Sequence, residues 1–156
     1  MGNTYYIIKS VAVTGSAFVE KYELHSDSSC TSDNSTQETT SGSLSIGDAL
    51  TYSTYSSSGG TRAKFTMTLS ANTFTLLNSQ EVSTANSNSL CGDSDWELDT
   101  PKSIVGKTCN STNYWSSGTA IYGIYLLDGD KLFWDYSNSS YPDSVSTGDN
   151  DTFTKQ

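Results

Sequence analysis

Apolar and polar residues alternate with a period of two along most of this chain, which is the pattern of half-buried β-strands. Breaks rich in Gly, Ser, Asn and Asp separate the alternating runs. No segment carries a periodicity that would predict a helix. The predicted strands span residues 5–13, 18–25, 42–46, 50–55, 62–69, 74–77, 96–98, 119–127, 131–136 and 152–155.

The clearest turn lies at Asp128-Gly129, between two apolar runs. An Asp-Gly pair in this position predicts a two-residue hairpin of type I′. In that register Gly123 faces Trp134, and the indole ring would lie over the glycine. A second turn is predicted at residues 71–72, where Ala-Asn separates two strands.

Short strands at roughly regular spacing predict an all-β fold. Consecutive hairpins favour a meander, and closing a meander into a barrel removes its exposed strand edges. We therefore expect a single domain over residues 1–156. The expected architecture is an antiparallel up-and-down β-barrel, with a β-sandwich as the alternative.

The composition is polar without being densely charged. Serine and threonine make up 50 of the 156 residues, whereas charged residues make up 16%. Aromatic residues, at 12%, sit in the alternating runs and argue against disorder. The net charge of −9 argues against nucleic acid and anionic membranes as partners. No apolar run approaches the length of about 18 residues that a membrane span needs.

Three cysteines leave room for at most one intrachain disulfide and one further thiol. We pair Cys91 with Cys109, which leaves Cys30 without a partner in the chain.

A polar, acidic chain rich in Ser and Thr has the composition of an exported protein, in which disulfides persist. The first residues carry no charged or apolar region of a signal peptide, so we expect a mature piece whose N-terminus was trimmed. The expected location is secreted or at the cell surface.

Several stretches resemble bacterial secreted lipocalin-like proteins, which are β-barrels of the calycin type. Residues 22–47 combine a strand, a Cys-containing turn and a Gly-rich element, and residues 122–135 (YGIYLLDGDKLFWD) are similar to the last hairpin of that family. A Cys-Gly pair before Trp96 and Gly-Lys-Thr-Cys at 106–109 add to the likeness. The resemblance implies an antiparallel barrel of about eight strands, often with an interior cavity, and no particular ligand. The N-terminal Gly-x-Trp strand of lipocalins is missing, so Cys30 is expected either to be free or to have lost its partner in a trimmed strand.

The residues offer little support for a catalytic site. We expect that the protein is not an enzyme and binds no cofactor. His25 is the sole histidine, no Gly-x-Ser-x-Gly elbow occurs, and a lone histidine on a strand is expected at the surface. One histidine and three cysteines show no metal-ligand spacing. Asp pairs in turns leave calcium open as an alternative, although Asp caps turns without a metal. These pairs are Asp93 with Asp95, Asp128 with Asp130, and Asp149 with Asp151.

Aromatic side chains crowd the C-terminal half of the sequence and supply the candidate ligand-binding residues. Packing inside the sheet is the favoured explanation for Tyr125 and Trp134, whereas Trp115 in a polar loop favours contact with a ligand or partner. The candidate set is Trp96, Tyr114, Trp115, Tyr122, Tyr125, Trp134 and Tyr141.

The functional prediction is a non-catalytic binding domain that holds a small apolar or amphipathic ligand in the barrel. One alternative is a surface adhesion or glycan-binding module that uses loop aromatics such as Trp115 and Tyr141. Another is a purely structural surface domain. We expect a monomer or a weak homo-oligomer, since a trimmed barrel can pair through an exposed strand edge.

Overall fold

The computed structural model describes residues 5–31, 34–50, 61–145 and 152–154. Within these ranges the chain forms β-strands and one short α-helix. In chain order the elements are β1 (Tyr6–Thr14), β2 (Ala17–His25), β3 (Asn34–Ala49), β4 (Thr61–Leu76), α1 (Ser79–Ser87), β5 (Lys102–Ser103), β6 (Thr108–Cys109), β7 (Thr112–Asn113), β8 (Ala120–Asp128), β9 (Lys131–Ser137) and β10 (Thr152–Thr154).

The main sheet is antiparallel and follows an up-and-down order. Its strands lie in the order β1-β2-β3-β4-β8-β9-β10, and β5 pairs with β4. β6 and β7 form a separate two-stranded hairpin. Strands that neighbour one another along the chain are thus neighbours in the sheet, apart from the insertion between β4 and β8. This order confirms the predicted all-β class and the up-and-down strand order of a meander barrel.

The residues cluster into two compact units. Unit 1 comprises Met1–Gly42 and Leu69–Gly118, and unit 2 comprises Ser43–Thr68 and Thr119–Gln156. The long strands β3 and β4 contribute residues to both units. The single domain over the whole chain stays a prediction.

The apolar core of unit 1 joins β4 and α1 to the segment between Cys91 and Cys109. Burying a large apolar side chain contributes about 1.5–3 kcal/mol, so this cluster fixes the segment although it has little regular structure. Its buried members are Leu76, Ala85, Trp96, Ile104 and Cys109.

The core of unit 2 is built on an aromatic pair. Phe65 of β4 stacks on Trp134 of β9, with ring centroids 4.8 Å apart and an interplanar angle of 27°. Met67, Ile121 and Ile124 are buried in the same unit.

β4 runs without a break, so the predicted turn at residues 71–72 is wrong. Asn72 stays in the strand, where tertiary partners bind its side-chain Nδ2 and its backbone carbonyl oxygen. Its Nδ2 donates to Glu38 Oε1 over 3.0 Å, and its carbonyl oxygen accepts from the N–H of Ile104 over 3.0 Å.

α1 forms where no helix was predicted, which corrects the expectation of a helix-free chain. The side chain of Asn78 accepts hydrogen bonds from the N–H groups of Gln80 and Glu81 and thereby caps the first turn. Ala85 is the buried residue of this helix, so α1 carries almost no apolar stripe that a periodicity could reveal.

Smaller differences concern the lengths of strands. β3 is much longer than the predicted strand at 42–46. Where a strand was predicted around Trp96, Leu98 forms an isolated parallel bridge with Leu76. Of the predicted strand at 50–55, residue 50 is described and the others lie outside the described residues.

The hairpin of β8 and β9 is present as predicted, but its turn is different. Gly129 and Asp130 occupy the two central positions, and Asp128 pairs with Lys131. Gly129 has a φ of +63° and Asp130 does not share a positive φ, which is the pattern of a type II′ turn rather than type I′. The Gly-Asp sequence fits a type II′ turn, because a type II′ turn requires a positive φ at its first central position only, which Gly129 occupies.

The changed turn shifts the predicted hairpin register by two residues. Tyr125 faces Trp134, and Gly123 faces Tyr136. The predicted contact between Trp134 and Gly123 is therefore wrong. An aromatic ring does cover this glycine, but it is Phe65, which pairs with Gly123 in the register of β4 and β8.

Candidate functional site

Unit 1 contains a cavity of about 300 Å³ whose wall includes residues of β4, α1 and the disulfide-bridged segment. This volume lies at the lower end of the range of about 300–1,000 Å³ that small-molecule sites occupy. A wall of this kind can shield the apolar part of a small molecule from water. Its apolar members are Phe74, Leu76, Ala85, Leu90, Ile104 and the Cys91–Cys109 disulfide.

The remaining wall of the cavity is polar. Hydroxyl, amide and carboxylate groups line it beside the apolar surface, so a ligand with both kinds of surface would match it. These groups come from Thr36, Glu81, Thr84, Asn88, Thr112 and Tyr114, among others.

Tyr114 belongs to a hydrogen-bonded network. Its hydroxyl donates to Glu38 Oε2 over 3.4 Å, and Glu38 Oε1 accepts from Asn72 Nδ2 over 3.0 Å. Burial is the main cause that raises the pKa of the Tyr114 hydroxyl, and the charge of Glu38 and the hydrogen bond raise it further. Tyr114 is therefore a neutral donor to Glu38 over the whole physiological range.

Hydrogen bonds from α1 hold the segment around Trp96. Asn86 Oδ1 accepts from the N–H of Trp96 over 2.7 Å, and Asn86 Nδ2 donates to the carbonyl oxygen of Trp96 over 3.0 Å. The indole Nε1 of Trp96 donates to the carbonyl oxygen of Leu90 over 3.1 Å. The disulfide joins Cys91 to Cys109, which confirms the predicted pairing and ties this segment to β6. Side chains and a covalent bond thus fix the walls of the cavity.

Three of the seven predicted ligand-binding residues belong to unit 1, and one of them, Tyr114, lines the cavity. Trp96 is 3% exposed and packs edge-on against Phe74, with ring centroids 6.0 Å apart. Trp115 is half-buried, and its carbonyl oxygen accepts from the N–H of Gly106 over 3.0 Å. Of the three, Tyr114 is thus the residue placed to meet a ligand in this cavity.

Tyr122 and Tyr141 lie together in unit 2, with ring centroids 5.2 Å apart. The Lys64 ammonium lies 4.6 Å from the centroid of the Tyr141 ring. The Tyr141 hydroxyl is hydrogen-bonded to the Thr66 hydroxyl over 2.9 Å. Tyr141 is therefore held by three neighbours of its own unit.

Tyr125 and Trp134 face each other across β8 and β9. Trp134 is 6% exposed and contacts the rings of Phe65, Tyr136 and Phe153. Internal packing accounts for Trp134, in agreement with the explanation that the sequence favoured.

Two of the acidic turn residues are paired with lysines. Asp93 forms an ion pair with Lys107, and Asp95 forms one with Lys102. The hydrogen bond and then the charge of Lys102 lower the pKa of the Asp95 carboxyl. Within the described ranges, no three His, Cys, Asp or Glu side chains are grouped so that they could hold a metal ion.

The other titratable candidates are dispersed. Asp128 and Asp130 belong to the turn region of the β8–β9 hairpin, and Asp149 and Asp151 lie outside the described residues. His25 is buried, 5% exposed, which corrects the expectation of a surface position. Its strand is an inner one, flanked by β1 and β3.

Several of the cavity-lining residues that the sequence did not mark come from the helical region. Glu81 and Thr84 lie on α1, and Asn88 directly follows it. The Asn-x-x-Glu spacing that begins at Asn78 resembles a capping box and is the sequence signal for this helix. Thr36 of β3 offered no such signal, because contacts with distant segments decide what a strand residue faces.

No protein-family model matches the chain, and no curated protein matches it either. The assignment to lipocalin-like proteins stays a prediction. In the parts of the chain that the structure describes, no helix is long and apolar enough to cross a membrane.

Proposed function

We propose that this protein is a non-catalytic binding domain that holds a small amphipathic molecule in the cavity of unit 1. One observation carries the proposal, namely a cavity of about 300 Å³ with an apolar and a polar wall. Burial against Leu76, Ile104 and the disulfide would stabilise an apolar body by about 25 cal/mol per Å² of contact area. Polar groups such as those of Tyr114 and Glu81 would orient the molecule.

The proposed site differs from the one expected from sequence. The expectation was a ligand inside a barrel, lined by aromatic side chains. The proposed site lies instead beside α1 and the disulfide, and its aromatic members are Phe74 and Tyr114.

We further propose that the protein acts outside the cytoplasm, secreted or at the cell surface. Disulfides persist in oxidising compartments and are reduced in the cytosol. Cys91 and Cys109 form part of the cavity wall, so a reducing environment would loosen the site itself.

Adhesion or glycan binding through loop aromatics has weaker support. A sugar stacks on an open aromatic face. The Tyr141 ring is in contact with Tyr122 and Lys64, and Trp115 is half-buried. No described contact favours this alternative over the cavity.

The proposal is tested by a substitution on α1 that fills part of the cavity. Thr84 is exposed and lines the cavity, so Thr84→Trp would place a large side chain at its wall. Ser83→Trp is the matched control, because Ser83 is exposed on the same helix and does not line the cavity. The probe is 2-phenylethanol, an uncharged molecule with one apolar ring and one hydroxyl, titrated into isotope-labelled protein and followed by NMR.

We expect saturable shifts of cavity residues in the wild type, with a dissociation constant on the order of 1 mM for so small a ligand. Ser83→Trp should bind the probe equally well, and Thr84→Trp should bind it at least about tenfold more weakly. Equal binding by the two variants, or no saturable shift in the wild type, would contradict the proposal.

A further inference from the structure

We infer that the cavity of unit 1 selects ligands with a cationic head group, that is, small organic ammonium compounds with an apolar body. This inference rests on the proposed function, because it assigns the head group of the ligand for the same site.

The cavity wall carries a negative charge that no basic side chain of the described residues neutralises. Glu81 is the charged residue among those that line the cavity. Glu38 lies next to the wall through its hydrogen bond with Tyr114. Within the described part of the chain, neither glutamate takes part in an ion pair. The net charge of −9 acts in the same direction, since it raises the local concentration of cations.

The described lysines of unit 1 contact partner side chains that do not line the cavity. None of these lysines lines the cavity, so no positive charge on its wall would repel a cationic ligand. An anionic ligand would be repelled by the negative charge of Glu81. Their partners are Tyr22 for Lys9, Glu23 for Lys21, Asp95 for Lys102 and Asp93 for Lys107.

Hydrogen-bond acceptors lie at the cavity wall and next to it, around Tyr114. The proton of Tyr114 is donated to Glu38, so the phenolic oxygen is left as an acceptor. Glu38 also accepts from Asn72 Nδ2, and the buried Asn72 Oδ1 has no donor among the described residues. An ammonium group brings three donors and no acceptor, which complements the Glu81 carboxylate and the Tyr114 oxygen on the cavity wall. A carboxylate brings acceptors alone and does not.

Three probes with a similar phenylalkyl body separate head-group selection from binding itself. They are 2-phenylethylammonium, which is positive, 2-phenylethanol, which is neutral, and 3-phenylpropanoate, which is negative. Dissociation constants are measured at neutral pH by NMR titration of the wild type, Glu81→Gln and Glu97→Gln. Glu97 is an exposed residue of unit 1 that does not line the cavity, so its variant removes the same charge elsewhere. Thermal unfolding checks that both variants are folded.

We expect the ammonium probe to bind the wild type about tenfold more tightly than the alcohol, which corresponds to about 1.4 kcal/mol, and the carboxylate to bind most weakly. Glu81→Gln should reduce the ratio of ammonium to alcohol affinity to about threefold or less. Glu97→Gln should leave that ratio unchanged.

The outcomes distinguish this inference from the proposed function. If the three probes bind the wild type with equal affinity, or if both variants reduce the ratio alike, selection of a cationic head group is overturned while the cavity remains a binding site. If none of the probes causes saturable shifts, the inference and the proposed function both fail.

Discussion

Gly123 of β8 has no room for a side chain, and its replacement by alanine tests the packing of unit 2. A Cβ placed on Gly123 would lie 2.0 Å from Cζ of Phe65 and 2.5 Å from both Cε atoms of that ring. Ordinary van der Waals contact begins at 3.4 Å. The ring would therefore have to move by about 1.4 Å, the difference between the shortest distance and ordinary contact.

The Phe65 ring has little freedom to make this movement. It is 1% exposed and stacks on Trp134. Overpacking a core costs about 1–3 kcal/mol. Replacing a strand glycine by alanine offsets about 0.5–1 kcal/mol of that cost through the entropy of the unfolded chain. For Gly123→Ala we expect the free energy of unfolding to fall by about 1–2 kcal/mol and Tm to fall by about 2–8 °C.

Urea and thermal unfolding, followed by far-UV circular dichroism, measure this effect. Gly47→Ala in β3 is the matched control, since its Cβ would lie 3.5 Å from the carbonyl oxygen of Lys64 and fits without a shift. It should leave stability unchanged or raise it by up to about 1 kcal/mol. In a Phe65→Leu background, Gly123→Ala should cost less, because the smaller side chain leaves space. Wild-type stability of Gly123→Ala, or the same cost in both backgrounds, would refute the reasoning.

Further predictions concern unit 1. Reduction of the Cys91–Cys109 disulfide should lower the free energy of unfolding by about 3 kcal/mol in the chain-entropy model, as measured by urea unfolding with and without reductant. A thiol reagent should label Cys30 alone in the denatured, unreduced protein, and labelling of either other cysteine would contradict the pairing. Asn78→Ala removes the cap of α1 and should cost about 1 kcal/mol, so an unchanged urea midpoint would count against the cap. The pKa of Tyr114 is raised above 10.0 on folding, so the stability this group contributes is complete below pH 10.0 and is lost as pH rises through the folded pKa. Tyr114→Phe should therefore make the free energy of unfolding fall less steeply above pH 10.0, and equal slopes would speak against the raised pKa.

The strands that carry clear alternation could be predicted closely. β1, β2, β8 and β9 begin and end within about two residues of the predicted limits, because alternation records the two faces of a strand. The pairing of Cys91 with Cys109 could be predicted as well. The helix could not be predicted from periodicity, since Ala85 is its buried residue.

Most residues of the candidate site could not be predicted from the sequence. Of the seven aromatic residues selected, Tyr114 lines the cavity. The remaining wall combines a helix, a disulfide and strand residues such as Thr36 and Leu76, which are far apart in the chain. Apolar and polar residues of such a wall follow no local period, so no pattern in the sequence marks them.

By itself the sequence determined the local properties of this protein, namely the β-forming alternation, the low helical content and the presence of a turn near residues 128–130. These depend on residues that are close together in the chain. Only the tertiary structure decided that Asn72 continues a strand, because Glu38 accepts from its Nδ2 and Ile104 donates to its carbonyl oxygen from other segments. The register that places Phe65 over a glycine and the assembly of the cavity wall were decided in the same way. Each depends on contacts between distant segments, whose free energy outweighs the local preference of any single residue.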